Sequence, residues 1–182
     1  MSIIIGVIIA VIILLLIVLY NGLAQLRVRT DSAWSDIDVQ LKRRHDLIPN
    51  LVETVKGYAS HEKGTFENIA RYRSAAMSAT SVDEKAQAEG QLTQALRGLL
   101  AVAENYPQLR ASEQFTSLQN NLTDTENAIQ NSRRYYNAVV RDLNTKIATF
   151  PSNIIAGMFS FQPRQFFQTE TAEDRATPAV KF

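Results

Sequence analysis

The two histidines come first, because imidazole is the commonest metal ligand and the commonest acid–base group near neutral pH. A carboxylate-bridged dimetal site in a helical bundle needs Glu-x-x-His on two helices. Here Lys42 stands three residues before His45, and Tyr58 three before His61. Neither position completes the pattern, so no metal site is expected. The chain has no cysteine, which removes disulfides, thiolate nucleophiles and thiolate metal sites. It contains no G-x-x-x-x-G-K-S/T loop to cradle a nucleotide phosphate and no G-x-S-x-G nucleophile elbow. Without an activated nucleophile, cofactor loop or metal set, the sequence reads as a non-enzyme with no cofactor and no small-molecule substrate.

The remaining polar clusters point to contact rather than catalysis. Lys42, Arg43 and Arg44 form a basic run. No aromatic residues interleave with it, and 19 basic against 18 acidic residues leave a net charge of only +1. Nucleic acid is therefore not an expected partner. The run reads first as a solvated helix face. His45 lies on or beside an apolar stripe and reads as a hydrogen-bonded seam residue or a mild pH sensor. The stretch from Gln40 to Tyr58 is denser in charges and amides than folding alone requires. Lys42, Arg43, Arg44, Pro49 and Asn50 are accordingly the candidate partner-binding residues, with a groove beside Pro49 and Asn50. The competing reading of this stretch is an obligatory kink at Pro49.

These residues need a frame, and the frame begins with an apolar run. Ile3, Ile4, Ile5, Val7, Ile8, Ile9, Val11, Ile12, Ile13, Leu14, Leu15, Leu16, Ile17, Val18, Leu19 and Tyr20 carry no charge, and only Gly6 and Ala10 interrupt them. At about 1.5 Å per residue this segment just crosses a hydrocarbon core of roughly 30 Å. It is predicted to be a single transmembrane helix within an anchor over residues 1–22, with the lipid bilayer as its partner. Gly22 and Ala24 make a weak cleavage-like pattern, but no basic residue precedes the run and it is longer than a signal core, so retention is expected. Arg27, Arg29, Lys42, Arg43 and Arg44 follow the span. The positive-inside rule then puts the N-terminus outside and the body in the cytoplasm, across a bacterial inner membrane. Gly6-x-x-x-Ala10 is a weak helix-association motif, in keeping with a homo-oligomer.

From residue 23 to 150 the pattern is helical throughout, and no strand alternation occurs. Leu23, Leu26, Ala33, Trp34, Ile37, Leu41, Ile48, Val52, Val55 and Ala59 form one stripe, and Pro49 is expected to kink or restart that helix. A shorter helix over about Glu62–Ser78 puts Phe66, Ile69, Arg73 and Ala76 on one side. Ser81 followed by Glu84 is a capping box that opens a helix with Leu92, Leu96, Leu99, Ala103 and Tyr106 inward, ended by Pro107. Ser112 caps the last helix. In it Phe115, Leu118, Leu122, Thr125, Ile129, Ser132, Tyr136, Val139, Leu143, Ile147 and Phe150 alternate threes and fours as a heptad seam. Thr125 and Ser132 are expected to bond back to their own helix. The fold class is therefore all-α: one transmembrane helix followed by an antiparallel up-and-down bundle of about four helices, the first and last long.

Residues 151–167 are rich in aromatics. Phe159, Phe161, Phe166 and Phe167 are candidate membrane-interface residues, and the alternative is a short helix and turn capping the bundle's open end. Residues 168–182 read as a polar, disordered tail.

The stretches QLKRRHDLIPNLVETVKGYASHE (Gln40 to Glu62), QLTQALRGLLAVAENYPQLRASEQF (Gln91 to Phe115) and LTDTENAIQNSRRYYNAVVRDLNTKIATFPSNIIAGMFSF (Leu122 to Phe161) resemble the signature of the bacterial LemA family. The similarity runs from Tyr20 to Phe167. Leu143 replaces a more usual aromatic, Ser160 a more usual Gly, and His45 stands where a small or aromatic residue is frequent. The resemblance implies a membrane-anchored antiparallel helical bundle with no assigned activity. It also implies similarity to magnetosome-membrane biogenesis proteins and a link to membrane proteases. The expected function is a membrane-anchored interaction or scaffold protein in membrane organisation or membrane-protein quality control. The alternative is a signalling adaptor between the membrane and a kinase or protease.

Overall fold

The computed structural model describes residues 1–168 of the 182, and all of its regular structure there is helical. In order the helices are α1 (Ser2–Lys56), α2 (Lys63–Ser78), α3 (Val82–Glu104), α4 (Pro107–Arg110), α5 (Glu113–Ala148) and α6 (Ser152–Met158). The tail expected from residue 168 on lies, apart from Gln168, outside the described residues.

Helix α1 is a single 55-residue element that includes Pro49. The expected restart at Pro49 therefore does not occur. Its first part, through Val18, is exposed along its whole length, and burial begins at Leu19 and is complete at Leu23. The helix is long and apolar enough to cross a membrane. A run of Ile, Val and Leu with no protein around it has no means of burying that surface in water.

Local signals set the other boundaries. Ser81 Oγ accepts from the Glu84 amide at 3.2 Å, and the Glu84 carboxylate accepts from the Ser81 amide at 3.3 Å, which completes the capping box of α3. These backbone bonds also hold the Glu84 carboxyl below its ordinary range. Helix α3 ends at Glu104, before Pro107; the proline instead opens α4, where its missing amide is not needed. Ser112 Oγ accepts from the Phe115 amide at 3.4 Å at the start of α5. Thr125 Oγ1 donates to the Asn121 carbonyl at 2.7 Å, so this buried hydroxyl is satisfied within its own helix.

Two compact units share the long helices. One comprises Met1–Val39 with Gln130–Phe166, and the other Gln40–Ile129 with Phe167. In the first, α1 and α5 run antiparallel. Trp34 lies against Tyr136, with ring centroids 5.4 Å apart, and Leu23 joins Leu143, Ile155 and Ala156 in a small core. The second holds the larger core, with Ile48, Leu51 and Val55 of α1, Phe66, Ile69 and Ala76 of α2, Leu92, Leu96 and Leu99 of α3, Leu109 of α4, and Phe115 and Leu122 of α5. The heptad seam of α5 is buried at Phe115, Leu122, Thr125, Ile129, Tyr136, Val139 and Leu143. Phe150 departs from it: α5 stops at Ala148, the next two residues turn toward Pro151, and the ring faces outward.

Candidate functional site

A densely connected set of polar residues lies inside the second unit. Arg44 and His45 come from α1, Arg73 from α2, Glu89 and Thr93 from α3, and Glu126 from α5. Arg44 falls on the stripe because it is three residues after Leu41 and four before Ile48, both buried. Glu89 occupies the same place in α3, three residues after Ala86 and three before Leu92. Both charges are therefore carried inward by the helical period, to 2% and 3% exposure.

Ion pairs and a hydrogen bond to other helices hold them there. One Arg44 guanidinium nitrogen, Nη2, pairs with Glu89 Oε2, and Nη1 pairs with Glu126 Oε1. Nη1 also donates to Thr93 Oγ1 at 3.0 Å, and Thr93 donates in turn to the Glu89 carbonyl at 3.0 Å. The second Glu89 oxygen, Oε1, lies 2.8 Å from His45 Nε2. Burial, then the cations Arg44, Arg73 and Lys85, push the His45 imidazole down to about 4. It is thus neutral at pH 7. One arginine, two carboxylates and a neutral histidine link three helices where an unpaired charge would be costly.

The backbone explains the fourth helix's part. Pro49 has no amide, so the carbonyl of His45, four residues earlier, lacks its helical donor. Arg73 Nε donates to that carbonyl at 2.9 Å. Arg73, placed by its sequence on the apolar side of α2, thus repairs the gap that Pro49 makes in α1.

This cluster corrects the sequence reading of the basic run. Lys42 and Arg43 are exposed, as a solvated face requires, but Arg44 points into the core and is taken up by Glu89 and Glu126. Successive helical residues are about 100° apart, so three in a row cannot share one face. Arg44 is unavailable as a partner-binding residue in the folded unit. Pro49 and Asn50 are exposed. Asn50, Glu53 and Thr54 of α1 with Gln114, Ser117 and Leu118 of α5 line an open groove of about 490 Å³. No group of three or more His, Asp or Glu is arranged to hold a metal ion among the described residues.

A model of the LemA family matches residues 33–182. The chain belongs to the LemA family. It is 24% identical over 191 residues to magnetosome protein MamQ 2 of Paramagnetospirillum magneticum, spanning 91% of this chain and 70% of that one. It is 28% identical over 155 residues to protein LemA of Metamycoplasma hominis, spanning 84% and 70%. A third relative, magnetosome protein MamQ of Magnetospirillum gryphiswaldense, is 22% identical over 91% of this chain and 70% of its own.

The four aromatic candidates of this LemA-family chain part company in the structure. Phe167 is fully buried, and Phe166 is half-buried. Phe161 is half-buried against the core formed by Leu23, Leu143, Ile155 and Ala156. Only Phe159 stays outside, with its ring centroid 4.8 Å from that of Tyr20. The chain after α6 is fastened by polar contacts: Asn144 exchanges two 2.8 Å hydrogen bonds with the Arg164 backbone, and the Arg164 guanidinium meets Asp31 at 2.9 Å. Tyr136 donates its hydroxyl to the Gln165 carbonyl at 2.9 Å, and burial raises its phenol above the usual range. Phe150, expected in the α5 seam, joins Phe159 on the outside, as do Ile154 and Met158.

Proposed function

We propose that this protein is a membrane-anchored, non-enzymatic interaction protein of the bacterial inner membrane. Ile3 to Tyr20 span the bilayer, and the bundle binds membrane or membrane-proximal proteins, a membrane protease among them, through the exposed Lys42, Arg43, Pro49 and Asn50 and the adjoining groove. It also self-associates, with Gly6 and Ala10 as a contact between spans. The processes this reading fits are membrane organisation and membrane-protein quality control. One observation carries it: an interconnected ionisable group is sealed within the core, whereas the long apolar first part of α1 is wholly uncovered. A buried, ion-paired cluster lacks the access that catalysis requires, and an uncovered apolar helix of this length calls for lipid.

The test is photo-crosslinking in intact cells from a probe at Asn50, with a probe at the exposed Gln91 as comparison. A defined membrane protein captured from Asn50 and not from Gln91 is the expected result. Equal background from both positions, or recovery of the intact chain in the soluble fraction, rejects the reading. The uninterrupted α1, from the span to Lys56, favours a second reading, an adaptor that signals from the membrane to a kinase or protease. It predicts that breaking α1 with Val39→Pro abolishes signalling while capture from Asn50 persists.

A further inference from the structure

Helix α6 is apolar on two sides. Ile155 and Ala156 are buried with Leu23 of α1 and Leu143 of α5, and the half-buried Leu19 packs against them. The other side bears Ile154 and Met158, flanked by Phe150 before the helix and Phe159 after it, all between 53% and 79% exposed. Four large apolar side chains grouped on so short a segment form a contiguous surface that water does not favour. Its position says what covers it. Phe159 rests on Tyr20, the residue that closes the apolar span, and α6 packs at Leu19, where the span's exposure ends. The patch is therefore continuous with the lipid-length part of α1. Lys146 lies at the same level, since a Cβ placed on Gly22 would stand 2.5 Å from its ammonium nitrogen. An aromatic pair and an ammonium where a span leaves the hydrocarbon are the groups that settle at lipid headgroups.

We infer that Phe150, Ile154, Met158 and Phe159 form a foot that lies in the headgroup–acyl boundary of the same bilayer α1 crosses, with Lys146 facing lipid phosphate. The inference rests on the anchor reading above. It makes α6 a second, interfacial attachment that fixes how the first unit stands on the membrane.

The absence of cysteine makes a direct test simple. Single substitutions Met158→Cys, Ile154→Cys, Val11→Cys and Asp124→Cys in the full chain each take one nitroxide label. The labelled chains are reconstituted into phosphatidylethanolamine–phosphatidylglycerol vesicles. Collision with oxygen, which partitions into lipid, is compared with collision with a water-soluble nickel chelate. The foot requires an oxygen-to-nickel ratio at positions 158 and 154 that is several-fold above that at 124, and below that at 11. A high ratio at 11 with ratios at 158 and 154 equal to that at 124 overturns the foot and leaves the anchor standing. A ratio at 11 no greater than at 124 overturns both. Labels at 158 that are shielded from both agents and broadened by a neighbouring spin place a second copy on this face, and also overturn the foot.

Discussion

Arg73 donates its Nε hydrogen to the main-chain carbonyl of His45, the one acceptor in α1 that Pro49 leaves without a helical donor. A proline inside a helix ordinarily removes one hydrogen bond and crowds the carbonyl four residues back. Here a cation from α2 satisfies that carbonyl, so the helix continues to Lys56 and its stripe remains in register with the core. The arrangement predicts coupling between the two side chains. Arg73→Met strands a half-buried carbonyl and costs about 1–3 kcal/mol. In a Pro49→Ala background the restored amide supplies the donor, and the same substitution costs less by about 0.5 kcal/mol or more. A double-mutant cycle by urea denaturation in detergent measures this, and additive losses would show that the bond does not stand in for the missing amide.

The Arg44 guanidinium pairs with both Glu89 and Glu126. Replacing it with Met leaves the buried Glu89 facing an apolar chain, and the expected loss is about 3–5 kcal/mol. Arg44→Lys does not restore it, because an ammonium cannot reach two carboxylates and a hydroxyl from one planar fork. Lys42→Met and Arg43→Met, on the exposed side, stay within about 0.5 kcal/mol of the parent. Thermal melting of the four variants orders them, and Arg44→Lys melting with the parent would refute the fork.

Much of this was legible, and the exceptions have a common cause. The apolar span, the capping box of α3 and the seam of α5 are periodic or positional patterns of residue type, and they appear where expected. Arg73 was legible too, as a polar member of an apolar side. Arg44 and Glu89 were not, because charge on a helix ordinarily marks its solvated face. The signal was nonetheless there: Leu41 and Ile48 are seven residues apart on the stripe, and the heptad position between them is filled by Arg44 and His45. A gap in an apolar stripe that is occupied by a charge calls for a buried partner on another helix. Which residue supplies it depends on tertiary pairing, which spacing along one helix does not encode. The same limit separates Phe167 from Phe159, since both are phenylalanines in a segment with no period.

His45 gives the bundle a defined acid sensitivity. Its folded pKa of about 4 lies below the ordinary 6.5, so on acidification the unfolded chain takes up the proton first. The stability it contributes is whole above about pH 6.5 and declines as the pH falls toward 4, where the folded form also protonates. At about 1.4 kcal/mol per pH unit, the interval between the two values bounds this contribution at roughly 3 kcal/mol. The contribution of the histidine is isolated by difference. In His45→Gln the stability between pH 6.5 and 4 falls less steeply than in the parent, as read from urea midpoints at half-unit steps. Parallel curves would place the sensitivity elsewhere.

Phe167 and Phe159 carry opposite expectations, although both were candidates for the membrane interface. Phe167 is 1% exposed within the second unit, so Phe167→Ala removes a buried ring and costs about 3–5 kcal/mol. Its effect should be the same in detergent and in vesicles, because lipid never reaches the side chain. Phe159 is more than half exposed, and its ring touches Tyr20. Phe159→Ala therefore costs little in detergent, about 1 kcal/mol for the lost aromatic pair. Hydrogen exchange of the α6 amides separates the two: Phe159→Ala accelerates it in vesicles, and Phe167→Ala leaves it at the parent's rate relative to global unfolding. If Phe167→Ala were neutral to melting, the burial of that ring at the end of the aromatic segment would contribute nothing to the fold, and the division of the four phenylalanines into inner and outer members would fail.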